Sequence, residues 1–484
     1  MKIKMFFITT EIFMLIVMLG SLGILSLRKE NYKSYMEMML LYYMISFFII
    51  YESMLDIELG IFLWNSNLKL DYLSAIIKMV ITIFMINYAY LMKNYFDFEK
   101  MYVREYILIV WIAIISVFFI VMSNEFFLIY LALELQNLIL YMLTSLRRWR
   151  SKGIEGAMKY YIMGSFSSGL LLYGIVLLFG YFGVLDFVEI SYLMQGEIFL
   201  EMEVNYLIYI CLFLLIGLLF KLGIGPFHWW VPEIYEGAPV IVTLFFTIIP
   251  KISLIVILYK FYIYLLINLD FFFYYFFFIV SIFSLLIGFL FSLYQKKIIK
   301  FLAYSSIFNG GFFMVCFLNG TFLSLISVFY FFIPYMFLLL GIFFVLIVFR
   351  KIKHEKLNLL WDFNLLANSN NLLGLVFALF FFSLAGIPPL SGFFGKFFIL
   401  LAVFLNKNFF MFFILMSFSI ASSFYYFRIV RILFFSNKLD YIFIKPYLSV
   451  FLLAFYAFIS IFFLIFFDYI FLFFLPVLSQ NILL

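Results

Sequence analysis

Charge is scarce in this sequence. Of its 484 residues only 12% are charged and 68% are hydrophobic, and the mean hydropathy is +1.20. A soluble domain carries about 25% charged residues and is about half apolar. The composition therefore excludes a water-soluble protein and predicts one embedded in phospholipid. In so apolar a chain, the formal net charge of +6 gives no reason to expect a nucleic-acid partner.

Cysteine and histidine are also rare. Cys211 and Cys316 stand in separate apolar runs, whereas an iron–sulfur cluster or a zinc site needs several ligands close together. The only histidines, His228 and His354, count against haem held by two histidines of this chain. The sequence also lacks a phosphate loop, a dinucleotide fingerprint and a nucleophile with its base. We therefore expect no metal and no other cofactor in this chain.

Long apolar runs are abundant. A membrane-spanning helix needs about 20 apolar residues, and the sequence predicts about fourteen such spans. Numbered in chain order, they are 6–27, 37–54, 71–95, 105–123, 125–146, 157–182, 204–235, 239–260, 272–294, 298–318, 320–349, 370–404, 408–434 and 446–474. This pattern predicts an all-α polytopic membrane protein.

Basic residues occur mainly in the loops and span ends after spans 1, 3, 5, 9, 11 and 13, for example Arg147, Arg148, Arg150 and Lys152. The loop after span 6 is acidic instead, and the short loop after span 7 has no basic residue. Because lysine and arginine are enriched on the cytoplasmic or matrix side of a membrane, we expect the odd-numbered loops to face that side. Both termini then lie on the other side, which requires an even number of spans.

Prolines interrupt two of the longest spans. Span 7 carries Pro226 and Pro232, and span 12 carries Pro388 and Pro389. Because the interval is five spans, the second interruption has the inverted orientation. Paired interrupted helices of opposite orientation are typical of transporter cores with sites near the membrane midplane. We therefore predict two inverted five-helix repeats, spans 4–8 and spans 9–13. The predicted domain boundaries give residues 1–103, 104–271, 272–436 and 437–484.

Four charged residues stand deep in the predicted spans: Glu134, Lys221, Lys251 and Lys396. Each costs at least about 2.5–3.5 kcal/mol at the centre of a membrane helix, so it should pair, line a cavity or function. The alternatives are a structural salt bridge for Glu134 and a side chain that reaches the membrane surface for Lys221. We interpret the four together as a hydrated proton relay.

The three lysines stand beside prolines. Lys221 precedes Pro226, Lys251 follows Pro250, and Lys396 follows the span 12 prolines. A proline cannot donate a hydrogen bond to the carbonyl four residues earlier, and a freed carbonyl in a membrane needs water or another polar partner. Water at that depth allows a buried lysine to exchange its proton, because burial disfavours the charged form.

Weaker candidates lie near the interruption of span 7 and in span 10. His228 either shuttles protons or hydrogen-bonds the broken backbone. Tyr304, Ser305 and Ser306 either support a water wire or form hydrogen bonds between helices. These four residues are secondary relay candidates.

Two further charges, Glu11 and Lys78, lie within spans but nearer their ends. Long side chains at such positions often extend to the membrane surface. We therefore expect surface contact at least as readily as a role in the relay.

Four stretches of the chain resemble one known family. Residues 221–239 read KLGIGPFHWWVPEIYEGAP, 134–141 read ELQNLILY, 303–306 read AYSS and 383–396 read SLAGIPPLSGFFGK. In this order they resemble chain 2 of NADH–ubiquinone oxidoreductase (respiratory complex I), an antiporter-like subunit whose bacterial counterpart is chain N. The first stretch and the pair Pro250-Lys251 separate this family from chains 4 and 5 and from sodium/proton antiporter subunits. The resemblance covers spans 4–13.

The resemblance implies a role for each buried charge. Glu134 and Lys221 match the coupled pair of the entry half-channel, Lys251 matches the central relay lysine, and Lys396 matches the lysine on the exit side. Redox energy from other subunits would shift the Glu134–Lys221 interaction and drive the proton onward through this series. Asn309 stands where many relatives carry histidine, so that position cannot titrate.

The resemblance also implies a core subunit of a proton-translocating NADH:ubiquinone reductase, with no redox chemistry in this chain itself. FMN, iron–sulfur clusters and ubiquinone are then expected in partner subunits, and the partners are other membrane-arm subunits. The 76 Phe and 36 Tyr residues suggest AT-rich codons, as in a protist mitochondrion or a reduced bacterium. We expect the mitochondrial inner membrane, with a bacterial plasma membrane as the alternative.

Two other functions remain open. The same fold would serve a cation/proton antiporter subunit, although the Pro250-Lys251 pair counts against it. A structural scaffold would use the buried charges as salt bridges only. In a scaffold, neutral replacement of both Glu134 and Lys221 would leave proton pumping intact.

Overall fold

The structure is a computed structural model. It describes residues 9–27, 32–55, 61–64, 66–98, 103–147, 150–195, 201–318, 320–351, 357–369, 371–435, 442–443, 452–463 and 465. The first residues of predicted span 1, both ends of predicted span 14, Arg148 and His354 lie outside the described residues.

Helices make up almost all of the described chain. In the first part they are α1 Thr9–Leu27, α2 Tyr32–Leu55, α3 Tyr72–Phe98, α4 Val103–Met122, α5 Phe126–Ser145, α6 Ser151–Phe182, α7 Phe187–Gln195, α8 Glu201–Leu222, α9 Val231–Gly237 and α10 Val240–Tyr264. They continue as α11 Asp270–Tyr294, α12 Ile298–Val315, α13 Phe322–Val348, α14 Asn364–Ser369, α15 Asn371–Ala385, α16 Ser391–Leu405 and α17 Phe409–Phe435. The last is α18, Leu452–Phe463.

The helices confirm the predicted all-α polytopic fold. Within the described ranges, eleven helices are long and apolar enough to cross a membrane, namely α2–α6, α8, α10–α13 and α17. Shorter apolar helices lie in α1, α15, α16 and α18. Since α15 and α16 are the two halves of predicted span 12, every one of the predicted spans has a helix.

The connections contain short elements that hydropathy did not predict. Strand β1 (Ile61–Leu63) pairs antiparallel with β2 (Leu68–Leu70), and β3 (Arg350–Lys351) pairs antiparallel with β4 (Ile442–Phe443). Short pairings of this kind satisfy backbone groups next to the membrane, where unpaired ones are costly. They are too short for the alternation of side chains to be visible in the sequence.

The chain forms two compact units. Unit 1 comprises Met1–Leu222, Phe245–Phe272 and Phe473–Leu484, and unit 2 comprises Gly223–Leu244 and Phe273–Leu472. In unit 1, α6 packs along α8 and α5, and α2 packs along α3. In unit 2, α13 packs along α16, α15 along α17, and α9 along α12. The predicted boundaries of the repeats concern sequence symmetry and stay predictions.

Both predicted interruptions are present and share one local design. Helix α8 stops at Leu222 and α15 stops at Ala385. The next residue in each case is a glycine of positive φ, +67° at Gly223 and +89° at Gly386. Glycine adopts this left-handed conformation without the steric cost that a Cβ brings, and it is the usual residue just after a helix. Each glycine opens the sequence Gly-Ile-x-Pro, whose proline prevents the helix from resuming.

The first prediction concerns this glycine. We expect Gly386→Ala to destabilise the protein by about 1–2 kcal/mol, because a left-handed residue with a Cβ is strained by that amount. The added Cβ would also lie 3.2 Å from Cδ of Lys396. Gly180→Ala in α6 is the control, since nothing lies within 4 Å of a Cβ built there. Thermal unfolding of the purified protein in detergent compares the two, and an unchanged midpoint for Gly386→Ala would contradict the prediction.

Candidate functional site

Glu134 and Lys221 form an ion pair in unit 1. The Nζ atom of Lys221 lies 3.2 Å from Oε1 of Glu134, and Nδ2 of Asn137 donates to the same oxygen at 3.1 Å. The side chain of Lys221 is 5% exposed and that of Glu134 is 29% exposed. The structure thus brings together the two residues that the resemblance pairs, with Lys221 enclosed and Glu134 at the surface.

Close packing of α6 on α8 sets the position of Lys221, which lies in the last turn of α8. A Cβ at Gly217 of α8 would approach Cγ of Leu171 to 2.5 Å, and a Cβ at Gly174 of α6 would approach Leu214 to 2.8 Å. Glycines at such contacts allow the backbones of two membrane helices to come close. Since α5 packs on α6, the helix that carries Glu134 belongs to the same layer.

Lys251 has a different environment. It lies in α10, directly after the internal Pro250, and is 8% exposed. Within the described part of the chain it has neither an ion-pair nor a hydrogen-bond partner. Ser253, two residues further along α10, lies near α5, where Nε2 of Gln136 is 3.4 Å from its Oγ. A buried ammonium group without a partner is costly, so Lys251 needs either water or the loss of its proton.

Lys396 binds the backbone at the interruption between α15 and α16. Its Nζ atom donates to the carbonyl oxygens of Leu384 at 2.9 Å and Ala385 at 3.1 Å. These are the carbonyls that Pro388 and Pro389 deprive of their helical donor, because proline has no N–H for the carbonyl four residues earlier. A cation at this position is also favoured by the negative end of the α15 dipole.

The remaining surroundings of Lys396 are an aromatic ring and a hydroxyl. The Nζ atom lies 5.8 Å from the centre of the Phe312 ring and 3.4 Å from Oγ of Ser422, and the residue is 4% exposed. The two interruptions are therefore unlike in chemistry. Lys221 precedes its interruption and pairs with a carboxylate, whereas Lys396 follows its own and binds carbonyls.

The secondary candidate His228 contacts the broken backbone. Its Nδ1 atom lies 3.2 Å from the carbonyl oxygen of Pro226. A carbonyl only accepts, so Nδ1 is the donor. His228 therefore hydrogen-bonds the broken backbone, as one of the two interpretations predicts. Proton shuttling by His228 stays a prediction.

The candidates of α12 differ in burial. Tyr304 is partly exposed and stacks on Phe291, with ring centres 5.2 Å apart. Ser305 and Ser306 are buried, and each donates to a carbonyl one turn earlier, at 2.9 and 2.7 Å. Their oxygens can still accept a hydrogen bond, and the hydroxyl of Tyr235 lies near Ser306. Only the two serines therefore face the interior of unit 2.

Known proteins resemble the part of the chain that holds these residues. A family model for the transmembrane part of NADH:quinone oxidoreductase and Mrp antiporter subunits matches residues 123–423. NADH-ubiquinone oxidoreductase chain 2 of Marchantia polymorpha is 32% identical over 360 residues, 73% of this chain and 72% of that protein. NADH-quinone oxidoreductase subunit N of Paramagnetospirillum magneticum is 32% identical over 353 residues, again 73% and 72%.

The chain belongs to the chain 2/subunit N family of NADH–quinone oxidoreductases. Its fold also resembles a chain in the structure of respiratory complex I from Thermus thermophilus with bound aureothin. That comparison has a TM-score of 0.76 at 21% identity and covers 93% of this chain and 96% of the other. The family resemblance drawn from the sequence motifs is thereby confirmed. Glu134, Lys221, Lys251 and Lys396 all lie within the matched residues.

Glu11 and Lys78 lie before residue 123, where the family model begins, and the structure buries both of them. Nζ of Lys78 lies 2.5 Å from Oε1 of Glu11, and both side chains are 3% exposed. The same Nζ lies 2.7 Å from the Met122 sulfur and 5.6 Å from the centre of the Phe118 ring. The expected extension of Glu11 and Lys78 to the membrane surface is wrong. Each charge is satisfied inside unit 1 by a residue distant in sequence.

Lys260 is a buried lysine that sequence reasoning missed. Its Nζ atom donates to the carbonyl oxygens of Val121 and Ser123, each at 2.7 Å. A lysine that binds carbonyls at the end of a helix, here α4, satisfies groups without a helical donor. Its place near the end of span 8 made it indistinguishable from a residue at the membrane surface.

Glu236 of α9 was also missed. Its carboxylate lies 2.5 Å from Nζ of Lys297 and 2.9 Å from Nζ of Lys300. These bonds hold the short helix after the α8 interruption against the start of α12 in unit 2. A signal is present, because Glu236 lies in the stretch that resembles the family, but nothing along the sequence places it next to Lys297 and Lys300.

The second prediction concerns the Glu11–Lys78 pair. We expect Lys78→Met to destabilise the protein by about 3–5 kcal/mol, because it removes the ammonium group 2.5 Å from the buried carboxylate of Glu11, and breaking a buried ion pair is costly. The double variant Glu11→Leu with Lys78→Met should recover most of that loss. Thermal unfolding in detergent measures both, and equal stability of the single and double variants would contradict the prediction.

The exposed pair Glu155 and Lys159 is the matched control. Its atoms lie 2.7 Å apart one helical turn along α6, with 63% and 45% of the two side chains exposed. Because exposed ion pairs contribute about 0–1 kcal/mol, Lys159→Met should leave the unfolding midpoint nearly unchanged.

Proposed function

We propose that this chain is a proton-translocating subunit in the membrane arm of an NADH:quinone oxidoreductase, complex I. It would couple electron transfer in other subunits to proton pumping across the membrane. The Glu134–Lys221 pair carries the proposal, since a carboxylate and an ammonium group 3.2 Å apart next to an interrupted helix form a charge pair that can be made and broken. The relatives named above, chain 2 and subunit N of such enzymes, support the same function.

The distance between Glu134 and Lys221 determines how firmly Lys221 holds its proton. While it is closed, the carboxylate of Glu134 stabilises the ammonium form of Lys221. Once Glu134 moves away, Lys221 is a buried cation at 5% exposure without its partner, and such a cation is strongly disfavoured. A shift of Glu134 by a neighbouring subunit therefore expels the proton from Lys221.

Lys251 and Lys396 would continue the relay, in the order that the family resemblance implies. Lys251 suits a transient carrier because no side chain of the described residues fixes its charge. Lys396 suits a residue that holds its proton longer, because two carbonyls accept hydrogen bonds from its ammonium group. The two environments thus differ in how firmly they retain a proton.

A partner subunit would cover the face of α5 that carries Glu134. In this chain by itself that side chain is 29% exposed. Large apolar side chains on the same helix are exposed too, namely Phe127, Leu131, Leu135, Leu138 and Met142. A carboxylate against lipid tails is costly, so we propose that another membrane-arm subunit packs here and phospholipids contact the rest.

Electron transfer would take place in partner subunits that hold FMN, iron–sulfur clusters and ubiquinone. This chain would then contribute to NADH:quinone reductase activity without a cofactor of its own. The scarcity of cysteine and histidine supports this division, and Cys211 and Cys316 are both buried free cysteines. For the location we propose the mitochondrial inner membrane, with the bacterial plasma membrane as the alternative.

The third prediction tests the pair. We expect Lys221→Met to abolish proton release while the complex still assembles, because methionine keeps the length of the side chain and removes the charge. Glu134→Gln with Lys221→Gln should be equally inactive, whereas a scaffold would keep pumping. Protons released per NADH oxidised in vesicles with the assembled complex measure this, and a normal ratio would refute the proposed function.

The fourth prediction separates carriers from structural lysines on one helix. Arginine keeps the positive charge but cannot lose its proton in a protein. We therefore expect Lys251→Arg to stop pumping and Lys260→Arg to preserve it, because Lys260 needs only to donate to two carbonyls. The same vesicle assay applies, with assembly checked by native electrophoresis. Normal pumping by Lys251→Arg would exclude Lys251 as a carrier.

A further inference from the structure

Three tyrosine hydroxyls in unit 2 are buried without a partner. Tyr335 of α13 and Tyr425 and Tyr426 of α17 are 2%, 1% and 0% exposed. None of the three hydroxyls makes a hydrogen bond with any residue that the structure describes. Buried hydroxyls in proteins are almost always hydrogen-bonded, and leaving one unsatisfied is unfavourable. Three together indicate partners beyond the described residues, and water is the simplest of them.

The three hydroxyls lie around one polar spot. The rings of Tyr425 and Tyr426 have centres 4.4 Å apart. The hydroxyls of Tyr335 and Tyr426 both approach Asn309 of α12, and that of Tyr426 also approaches Ser305. None of these approaches is a hydrogen bond, so each oxygen has a polar group nearby and its own hydrogen bond still unmade. A water molecule among these groups can supply the missing hydrogen bonds.

The same spot is connected to Lys396. The hydroxyl of Tyr425 approaches Ser422, and Oγ of Ser422 lies 3.4 Å from Nζ of Lys396. Ser422 donates its own proton to the carbonyl of Ser419 at 2.7 Å, so it accepts from Lys396 or from Tyr425. One polar connection therefore runs from the ammonium group through a serine to the tyrosines.

The aromatic surroundings keep this spot separate from lipid. Phe301 of α12 lies edge-on to both tyrosines of α17, with ring centres 5.6 Å from Tyr425 and 5.9 Å from Tyr426. Phe308 lies 6.0 Å from Tyr425, and Phe331 lies 6.2 Å from Tyr335. Water held among polar groups inside such a wall is ordered, because it has few other partners.

We propose that water bound among Tyr335, Tyr425 and Tyr426 forms a proton wire that exchanges protons with Lys396. This rests on the proposed function. The Lys396 ammonium releases one proton to Oγ of Ser422 and becomes a neutral amine, while the Ser422 hydroxyl turns from the carbonyl of Ser419 and passes its own proton towards Tyr425. Each hydroxyl or water along the wire accepts a proton on one side and donates one on the other, so none of them changes its net charge. A proton that returns along the wire restores the ammonium.

The test removes each hydroxyl and keeps its ring. Tyr335→Phe, Tyr425→Phe and Tyr426→Phe are made singly in the assembled complex, and proton release per NADH oxidised and the rate of release are measured in vesicles. We expect each to slow proton release severalfold and to change the solvent isotope effect of release in D₂O. A role in packing alone would leave the isotope effect unchanged.

Tyr43→Phe is the matched control. Tyr43 of α2, in unit 1, is 0% exposed, and its hydroxyl too has no hydrogen-bond partner among the described residues. It lies outside the proposed relay, so its loss should alter neither the rate nor the isotope effect. Equal slowing by Tyr43→Phe would show that loss of any buried hydroxyl acts through stability, and would overturn the wire.

A second measurement is independent of mutation. A high-resolution map of the assembled complex should contain ordered water within hydrogen-bond distance of all three hydroxyls, and an empty spot would overturn the proposal. Lys396→Met separates the water wire from the lysine relay that it serves. If it stops pumping while all three phenylalanine variants pump normally, the relay stands and the wire is wrong. If Lys396→Met itself pumps normally, the exit role of Lys396 in the proposed function fails.

Discussion

Backbone carbonyls that lose their helical partner inside a membrane must be satisfied by other groups, and much of this protein follows from that requirement. Two apolar helices are interrupted ahead of prolines, and lipid tails cannot supply the missing donors. At the α15 interruption, Lys396 supplies both of them, to Leu384 and Ala385. At the end of α4, Lys260 does the same for Val121 and Ser123. Irregular backbone thus brings cations into the interior.

Buried lysines in this protein are chemically unlike one another although they are one residue type. Lys78 is locked to Glu11 with both side chains 3% exposed, whereas Lys221 pairs with a carboxylate that stays 29% exposed. Lys251 has no partner among the described residues. A proton carrier must exist in both charge states, so a lysine with a movable partner or none suits the task better than one in a closed pair. This contrast supports the choice of Lys221 and Lys251.

Much of the fold was predictable because the membrane imposes a length and a composition on each span. About 20 apolar residues are needed for each crossing, so hydropathy located the helices, and prolines located both interruptions. Strands β1 to β4 and the short helices α7 and α14 were not predicted. They lie in connections, where pairing depends on which segments meet and not on a periodic pattern along the chain.

The candidate site divides in the same way. The sequence alone predicted that Glu134, Lys221, Lys251 and Lys396 lie deep in the spans, since each is a rare charge in a long apolar run. Only the tertiary structure decided which partner each charge has. It paired Glu11 with Lys78 inside unit 1 instead of placing them at the surface, and it brought Tyr335 and Tyr426 to Asn309. The reason is physical: hydropathy determines that a helix crosses the membrane, whereas its rotation and its packing against neighbours determine which side chains meet.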